Sequence, residues 1–177
     1  MEIAKETHSD KYYMQKAFAM AKVAMANGDI PVGSVIVYNE NKKNKKMCEV
    51  AESRGIKTGE ILSRAYNKRN RDKNAISHAE ILAISKACKK MHDFRLEECT
   101  MYVTLEPCQM CAGAILQSRI KRIVIGAKSL KAGSCGSIIN ILDNNDFNHK
   151  VKIDFIDDED CKSILKTFFK NVREANL

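Results

Sequence analysis

Three short runs rich in β-branched and aromatic residues constrain this chain most: VGSVIVY (32–38), MYVTLE (101–106) and RIVIGA (122–127). Each has the length of a buried strand and is too short for a core helix. Between them, apolar residues recur every three or four positions. Ser9 can cap a helix over Asp10–Asn27, with Tyr13, Ala17, Met20, Ala21 and Ala24 on one face and Gly28 as its stop. A second helix starts near His78 and runs HAEILAISKACKKM; a third, PCQMCAGAILQ (107–117), carries proline at its first position. EILSRAY (60–66) reads as a further strand and KVKIDFI (150–156) as an edge strand. Asp157–Asp160 then opens a last amphipathic helix with Ile164, Leu165, Phe168 and Phe169. Strands alternating with helices, with no repeat or internal linker, predict one α/β domain over residues 1–177, built around a single sheet.

The chain of 177 residues is long enough to bury a real core. No apolar run approaches the ~20 residues that span a bilayer. The start, MEIAKETHSDKYY, has acidic residues and no apolar core segment, which argues against a secretory signal and for a cytoplasmic protein without membrane contact. Seven cysteines, an odd number without a regular framework, fit reduced thiols. The net charge of +8 suits a polyanionic partner such as nucleic acid. Read alone, the runs NKKNKK (41–46) and NKRNRDKN (67–74) fit a Lys- and Asn-rich composition equally well.

Cys108 and Cys111 are the one closely spaced pair among the seven, and stand three residues apart at a helix start. Both thiols then face the same way, and the positive end of the helix favours their thiolates. The pair alone fits a redox motif, a structural zinc site or a catalytic metal site. His78 and Glu80, at the start of the other helix, decide among these. A redox pair needs no such residues, and a structural zinc site wants a fourth regular ligand. A catalytic zinc site takes three protein ligands and leaves a fourth position open. His78, Cys108 and Cys111 supply three. Glu80 stands beside them as a carboxylate that can take a proton from water and return it to a leaving group. H-x-E followed by P-C-x-x-C is the pattern of zinc-dependent nucleobase deaminases.

Beyond these motifs, IPVGSVIVYN, SRAYN, SHAEILAI, RLEECTMYVTLEPCQMCAGAI, SRIKRIVIGAKS, GSIINIL, FNHKV and TFFKNVR resemble the tRNA-specific adenosine deaminases, in their bacterial order. The resemblance implies a cytidine-deaminase-like three-layer α/β/α sandwich with a central mixed sheet, a homodimer, and one zinc ion per subunit. It implies that His78, Cys108 and Cys111 bind the zinc and that Glu80 shuttles protons while hydroxide attacks C6 of the wobble adenine. The product would be inosine at position 34 of a tRNA anticodon. Asn67 matches a residue that hydrogen-bonds the target nucleotide, and Pro31 and Val32 would wall the base pocket. Arg69, Arg95, Lys131, Asn148, His149, Phe169 and Arg173 fall at positions that contact the anticodon loop. Loop bases stacked on aromatic faces, with phosphates held by cations, suit these residue types. Phe169 reads as core as readily as it reads as a stacking partner, and His8 and His92 read as surface residues. The five other cysteines read as buried or incidental thiols.

Two departures stand out. Where the family carries an aspartate near the ribose of the target nucleotide, this chain has Ser129, which can bond a 2′-hydroxyl without bringing a charge. Asn39–Gly59 replaces a short turn by a long lysine-rich insertion; the reading favoured is a disordered loop, the other an extension of the RNA footprint. The rival functions are a zinc deaminase of a free base such as guanine or cytosine, and a non-catalytic RNA-binding subunit, which would not need Glu80. A riboflavin-type deaminase is excluded by the close spacing of CQMC.

Overall fold

The middle strand of the sheet, β3 (Cys99–Val103), is buried at every residue. Around it, in a computed structural model that describes residues 8–175, lie β1 (Gly33–Tyr38), β2 (Ile61–Tyr66), β4 (Arg122–Ile125) and β5 (Lys152–Phe155). Their order is β2-β1-β3-β4-β5. β1 runs antiparallel to both β2 and β3, whereas β3, β4 and β5 are parallel, so the sheet is mixed. The expected edge strand is β5. Of the segment read as non-secretory, MEIAKETHSDKYY (1–13), residues 1–7 lie outside the described residues. Among the described residues, no helix is long and apolar enough to cross a membrane.

Side chains alternate across the sheet with the period of two that strands impose. Val35, Val37, Tyr102 and Val124 face a layer containing Tyr13, Met14 and Ala17 of α1 (Asp10–Ala26) and Cys161 of α5 (Glu159–Ala175). Ile36, Tyr38, Met101, Val103, Ile123 and Ile125 face the opposite layer. There they meet Ala83, Ala87 and Met91 of α3 (Ala79–Met91) and Ala112 and Ile115 of α4 (Gln109–Gln117). The result is the expected three-layer α/β/α sandwich, a cytidine-deaminase-like fold. Ser9 caps α1 as its sequence implies, its side chain accepting from the Tyr12 N–H. Gly33 lets α1 lie against β1: a Cβ there would run into the backbone of Ala17 and Ala21.

Two boundaries differ from the sequence reading. The third strand ends at Val103 because Thr104 turns to bond Gly33 instead; its Oγ1 accepts from the Gly33 N–H at 3.0 Å. The α4 helix begins at Gln109 with Cys108 as its N-cap, so Pro107 stands outside the helix rather than at its first position. Proline lacks an N–H to give, and its carbonyl accepts from the Ser134 N–H at 2.9 Å.

The insertion is also not a structureless loop. It folds as α2 (Lys45–Ser53), capped by the Asn44 side chain on the Met47 N–H, with Met47 and Ala51 buried in the α3/α4 layer. The Asn44 amide also donates to Glu97 and Glu98. Strand register places this segment away from the helix starts. Gly33, Tyr66, Val103 and Ile125 share one end of the sheet, Tyr38, Ile61, Cys99 and Arg122 the other. The insertion leaves β1 after Tyr38, about 17 Å from Gly33 at ~3.3 Å per residue.

Candidate active site

α3 and α4 both start at the Gly33 end of the sheet. His78 is the N-cap residue of α3 and Cys108 that of α4; neither side chain caps its own helix, so both are free to face each other. Cys111, one turn along α4, is fully buried beneath them. His78 Nδ1 lies 3.7 Å from Cys108 Sγ and 3.5 Å from Cys111 Sγ, and the three donor atoms lie within 4.8 Å of one another. Zinc ligands at about 2.05 Å (N) and 2.3 Å (S) on tetrahedral directions stand roughly 3.6 Å apart. The donor set therefore fits a tetrahedral metal with one position left over. It is the one such group of three among the described residues.

Electrostatics agree with that use. Hydrogen bonds from Cys111 and then His78 push the Cys108 thiol down to about 4. The same contact with Cys108, followed by burial, pushes Cys111 up, so the pair carries a shared negative charge. His78 is shifted up, chiefly by Cys108. Glu80 is 4% exposed, and burial raises it above the usual carboxylate range against the pull of His78. A buried carboxylate with raised proton affinity suits a group that takes a proton and gives it back.

His78, Glu80 and Cys108 line a cavity of about 170 Å³ whose walls also include Ile30, Val32, Asn67, Arg69, Ser129 and Ala132. That is below the ~300–1,000 Å³ usual for drug-sized ligands, and suits one heterocyclic base. A larger cleft, about 680 Å³, opens at the other end of the sheet. Three of its cations are paired: Arg122 binds Asp10 and Asp154, Lys121 binds Glu98, and Lys152 lies 3.4 Å from Asp154.

Of the residues singled out in the sequence, the cavity gathers Val32, Asn67, Arg69, His78, Glu80, Cys108 and Ser129. Pro31 is buried next to Val32, and Lys131 is exposed beside Ser129. Others lie elsewhere. Arg95 follows the far end of α3, a 13-residue helix about 20 Å long, and its guanidinium is closed on Asp93 at 3.0 Å. Asn148 and His149 border a separate groove along α4 with Gly113 and Leu116, where His149 Nε2 lies 2.8 Å from the Ile120 carbonyl oxygen. Phe169, 43% exposed, and Arg173 lie on the outer half of α5, so Phe169 is not core. His8 and His92 are exposed. Cys99, Cys135 and Cys161 are buried, with thiols pushed up chiefly by burial, and Cys48 and Cys88 are half-buried.

Two residues that sequence reasoning passed over organise the walls. Asp29, wholly buried, accepts from the Asn70 N–H at 2.7 Å, the Arg71 N–H at 3.2 Å and the Asn67 amide at 3.4 Å. Glu106, 3% exposed, binds the loop after β4. Burial pushes Glu106 up, but hydrogen bonds from Ser137, Ser129 and Cys135 outweigh it and hold the carboxyl below its usual range. Their signal was a carboxylate in an otherwise apolar stretch, GDIPVG and VTLEPC.

A mixed sheet between two helical layers, with H-x-E and P-C-x-x-C at adjoining helix starts, defines a hydrolytic deaminase. A family model described as MafB19-like deaminase matches residues 8–173. The tRNA-specific adenosine deaminase of Bacillus subtilis (strain 168) is 39% identical over 166 residues, spanning 93% of this chain and 91% of that protein. A structure from studies of A-to-I editing by tRNA:A34 deaminases superposes with a TM-score of 0.74 at 28% identity, over 88% of this chain and 99% of the other. A Bacillus subtilis guanine deaminase gives a TM-score of 0.56, also at 28% identity, over 68% and 66%. The chain belongs to the tRNA-specific adenosine deaminase family.

Proposed function

We propose that this protein acts as a single deaminase unit that converts the wobble adenosine, position 34 of a tRNA anticodon, to inosine, with release of ammonia. The observation that carries the reaction is the placement of buried Glu80 beside the His78–Cys108–Cys111 donor set, at the bottom of a cavity sized for one base. The choice of RNA over a free base is supported by the relatives, which match nearly the whole chain as tRNA-specific adenosine deaminases.

The donor set, two sulfurs and one imidazole nitrogen, suits zinc, one ion per subunit. Held by His78, Cys108 and Cys111, a zinc ion would supply Lewis acidity that lowers the pKa of water from 15.7 to about 7. Glu80 takes the proton of the attacking water and delivers it to the departing amino group at C6. Its burial, at 4% exposure, keeps bulk water from competing for that proton. Asn67 and Ser129 hydrogen-bond the target nucleotide, and Pro31 and Val32 hold the base in place. Extruding a loop nucleotide costs a few kcal/mol, offset by stacking worth ~1–3 kcal/mol per base on side chains such as Phe169.

Arg69, an exposed residue that borders the cavity, and Lys131, exposed between the wall residues Ser129 and Ala132, pair with anticodon-loop phosphates. Arg95, Asn148, His149 and Arg173 contribute only where the RNA extends beyond the pocket. The enzyme works as a homodimer in the cytoplasm; exposed Ile138, Ile139 and Phe147 support pairing with a second copy.

Ammonia release measured with an A34 anticodon stem-loop, guanine and cytosine as separate substrates tests the reading. Release from the stem-loop alone is expected. Release from guanine or cytosine with none from the RNA would overturn it.

A further inference from the structure

Glu106 lies two residues before Cys108 and borders the base cavity, where a carboxylate invites a role in proton transfer. Its hydrogen bonds point elsewhere. Oε1 accepts from the backbone N–H groups of Cys135 and Ser137, both at 3.0 Å. Oε2 accepts from the Ser129 N–H at 3.0 Å and from the Ser137 hydroxyl. A carboxylate offers about four acceptor positions, and all are taken by one segment, residues 129–137. The chain winds around the carboxylate so closely that Gly133 has to be glycine: a Cβ there would collide with the Glu106 carboxyl and the Ser129 carbonyl. The same segment is tied down by Gly133 N–H to Ser129 O and Ser134 N–H to Pro107 O, each at 2.9 Å.

We propose that Glu106 is a positioning residue: it fixes the 129–137 segment as one wall of the base cavity, and so sets nucleotide affinity without moving a proton. The part of this that concerns nucleotides rests on the deaminase reading above. Ser129 and Ala132 are the wall residues so placed, and Lys131 lies between them. The Ser129 N–H is committed to Glu106, which leaves its side chain as the group that can face the nucleotide. Four donors converging on one carboxylate leave no lone pair for a substrate, so the segment rather than the reaction depends on this residue.

The test is Glu106→Gln, which keeps the size but turns an NH2 group toward the segment's own N–H donors. Hydrogen–deuterium exchange of Ser129, Cys135 and Ser137 amides should speed up while bound zinc per subunit is unchanged. With the stem-loop, KM should rise about tenfold, as when one buried donor loses its partner, with kcat nearly constant. Unchanged exchange would overturn the proposal, and so would a fall in kcat at constant KM, which would make Glu106 part of the chemistry. Should Glu106→Gln fail to fold, Ser137→Ala removes a single donor; faster exchange at Ser129 and Cys135 is expected, and unchanged exchange overturns the proposal. Exchange is read without substrate, so inactivity of the native protein toward RNA would sink the deaminase reading and leave this result standing.

Discussion

Asp29 and Asn70 are 41 residues apart, yet the buried Asp29 carboxylate accepts from the Asn70 N–H at 2.7 Å. Through this bond and those to Arg71 and Asn67, the turn before β1 holds the segment that follows β2. That segment brings Asn67 and Arg69 to the base cavity. Asp29→Asn keeps the shape but must aim an N–H at a backbone donor, leaving a buried group unpaired at about 1–3 kcal/mol. The variant should melt several degrees lower and bind the stem-loop more weakly. Asn67→Ala should lose binding with a smaller change in melting. Thermal melts and stem-loop titrations of both variants check this; equal melting of the Asp29 variant and the native protein would contradict it.

Arg122 ties three elements together, binding Asp10 at the start of α1 and Asp154 on β5 at 2.8 and 2.6 Å. The Arg122 guanidinium, and after it the Tyr102 hydroxyl, hold Asp10 below the usual carboxylate range against burial. A depressed folded-state pKa gives stability that is present above the unfolded value, about 3.9, and lost as pH falls through the folded value. Asp10 is partly exposed, so the pair contributes at most about 1 kcal/mol. Asp10→Asn should lower the melting temperature by about 2–4 °C at pH 7, and the gap should narrow progressively in melts taken below pH ~3.9. A gap that stays constant would contradict the assignment.

The lysine-rich insertion offers a sharper contrast. Met47 of α2 is buried at 3% exposure, while Lys42, Lys43, Lys45 and Lys46 are exposed at the end of the sheet remote from the base cavity. Met47→Ala should destabilise by about 2–5 kcal/mol, as for a core methionine. Replacing the four lysines by alanine should leave stem-loop affinity within about twofold, since phosphates beyond a Debye length of ~8–10 Å contribute little. A large loss of affinity would restore the insertion to the RNA footprint.

What could be read from the sequence was what depends on neighbours. Ser9 marks a helix start because a side-chain cap is local, and the start of α3 near His78 and the strand at VGSVIVY were legible from short-range pattern. The start of α4 was misplaced to Pro107 because neither Cys108 nor His78 caps with its side chain. The metal donor set was legible because two helix starts carried it in recognisable spacing. Asp29 and Glu106 were not, since each looks like an ordinary charge until partners 41 and 29 residues away come into place. In the insertion the signal was present but masked: Asn44 as a cap, Met47 and Ala51 four apart, Gly55 as a stop, all among exposed lysines. Arg95, four residues beyond the end of α3, lies away from the base cavity with its guanidinium on Asp93, a pairing that matching of positions does not reveal.

The central claim is that Glu80 moves the proton beside a three-ligand metal site. The most direct measurement is mass spectrometry of nucleosides from an A34 anticodon stem-loop incubated with native protein or Glu80→Ala, alongside zinc content. The account predicts inosine at position 34 with the native protein. With the variant it predicts a loss of at least ~10²–10⁴-fold, the usual contribution of general acid–base catalysis, at unchanged zinc content. Inosine formed by the variant at the native rate would contradict it.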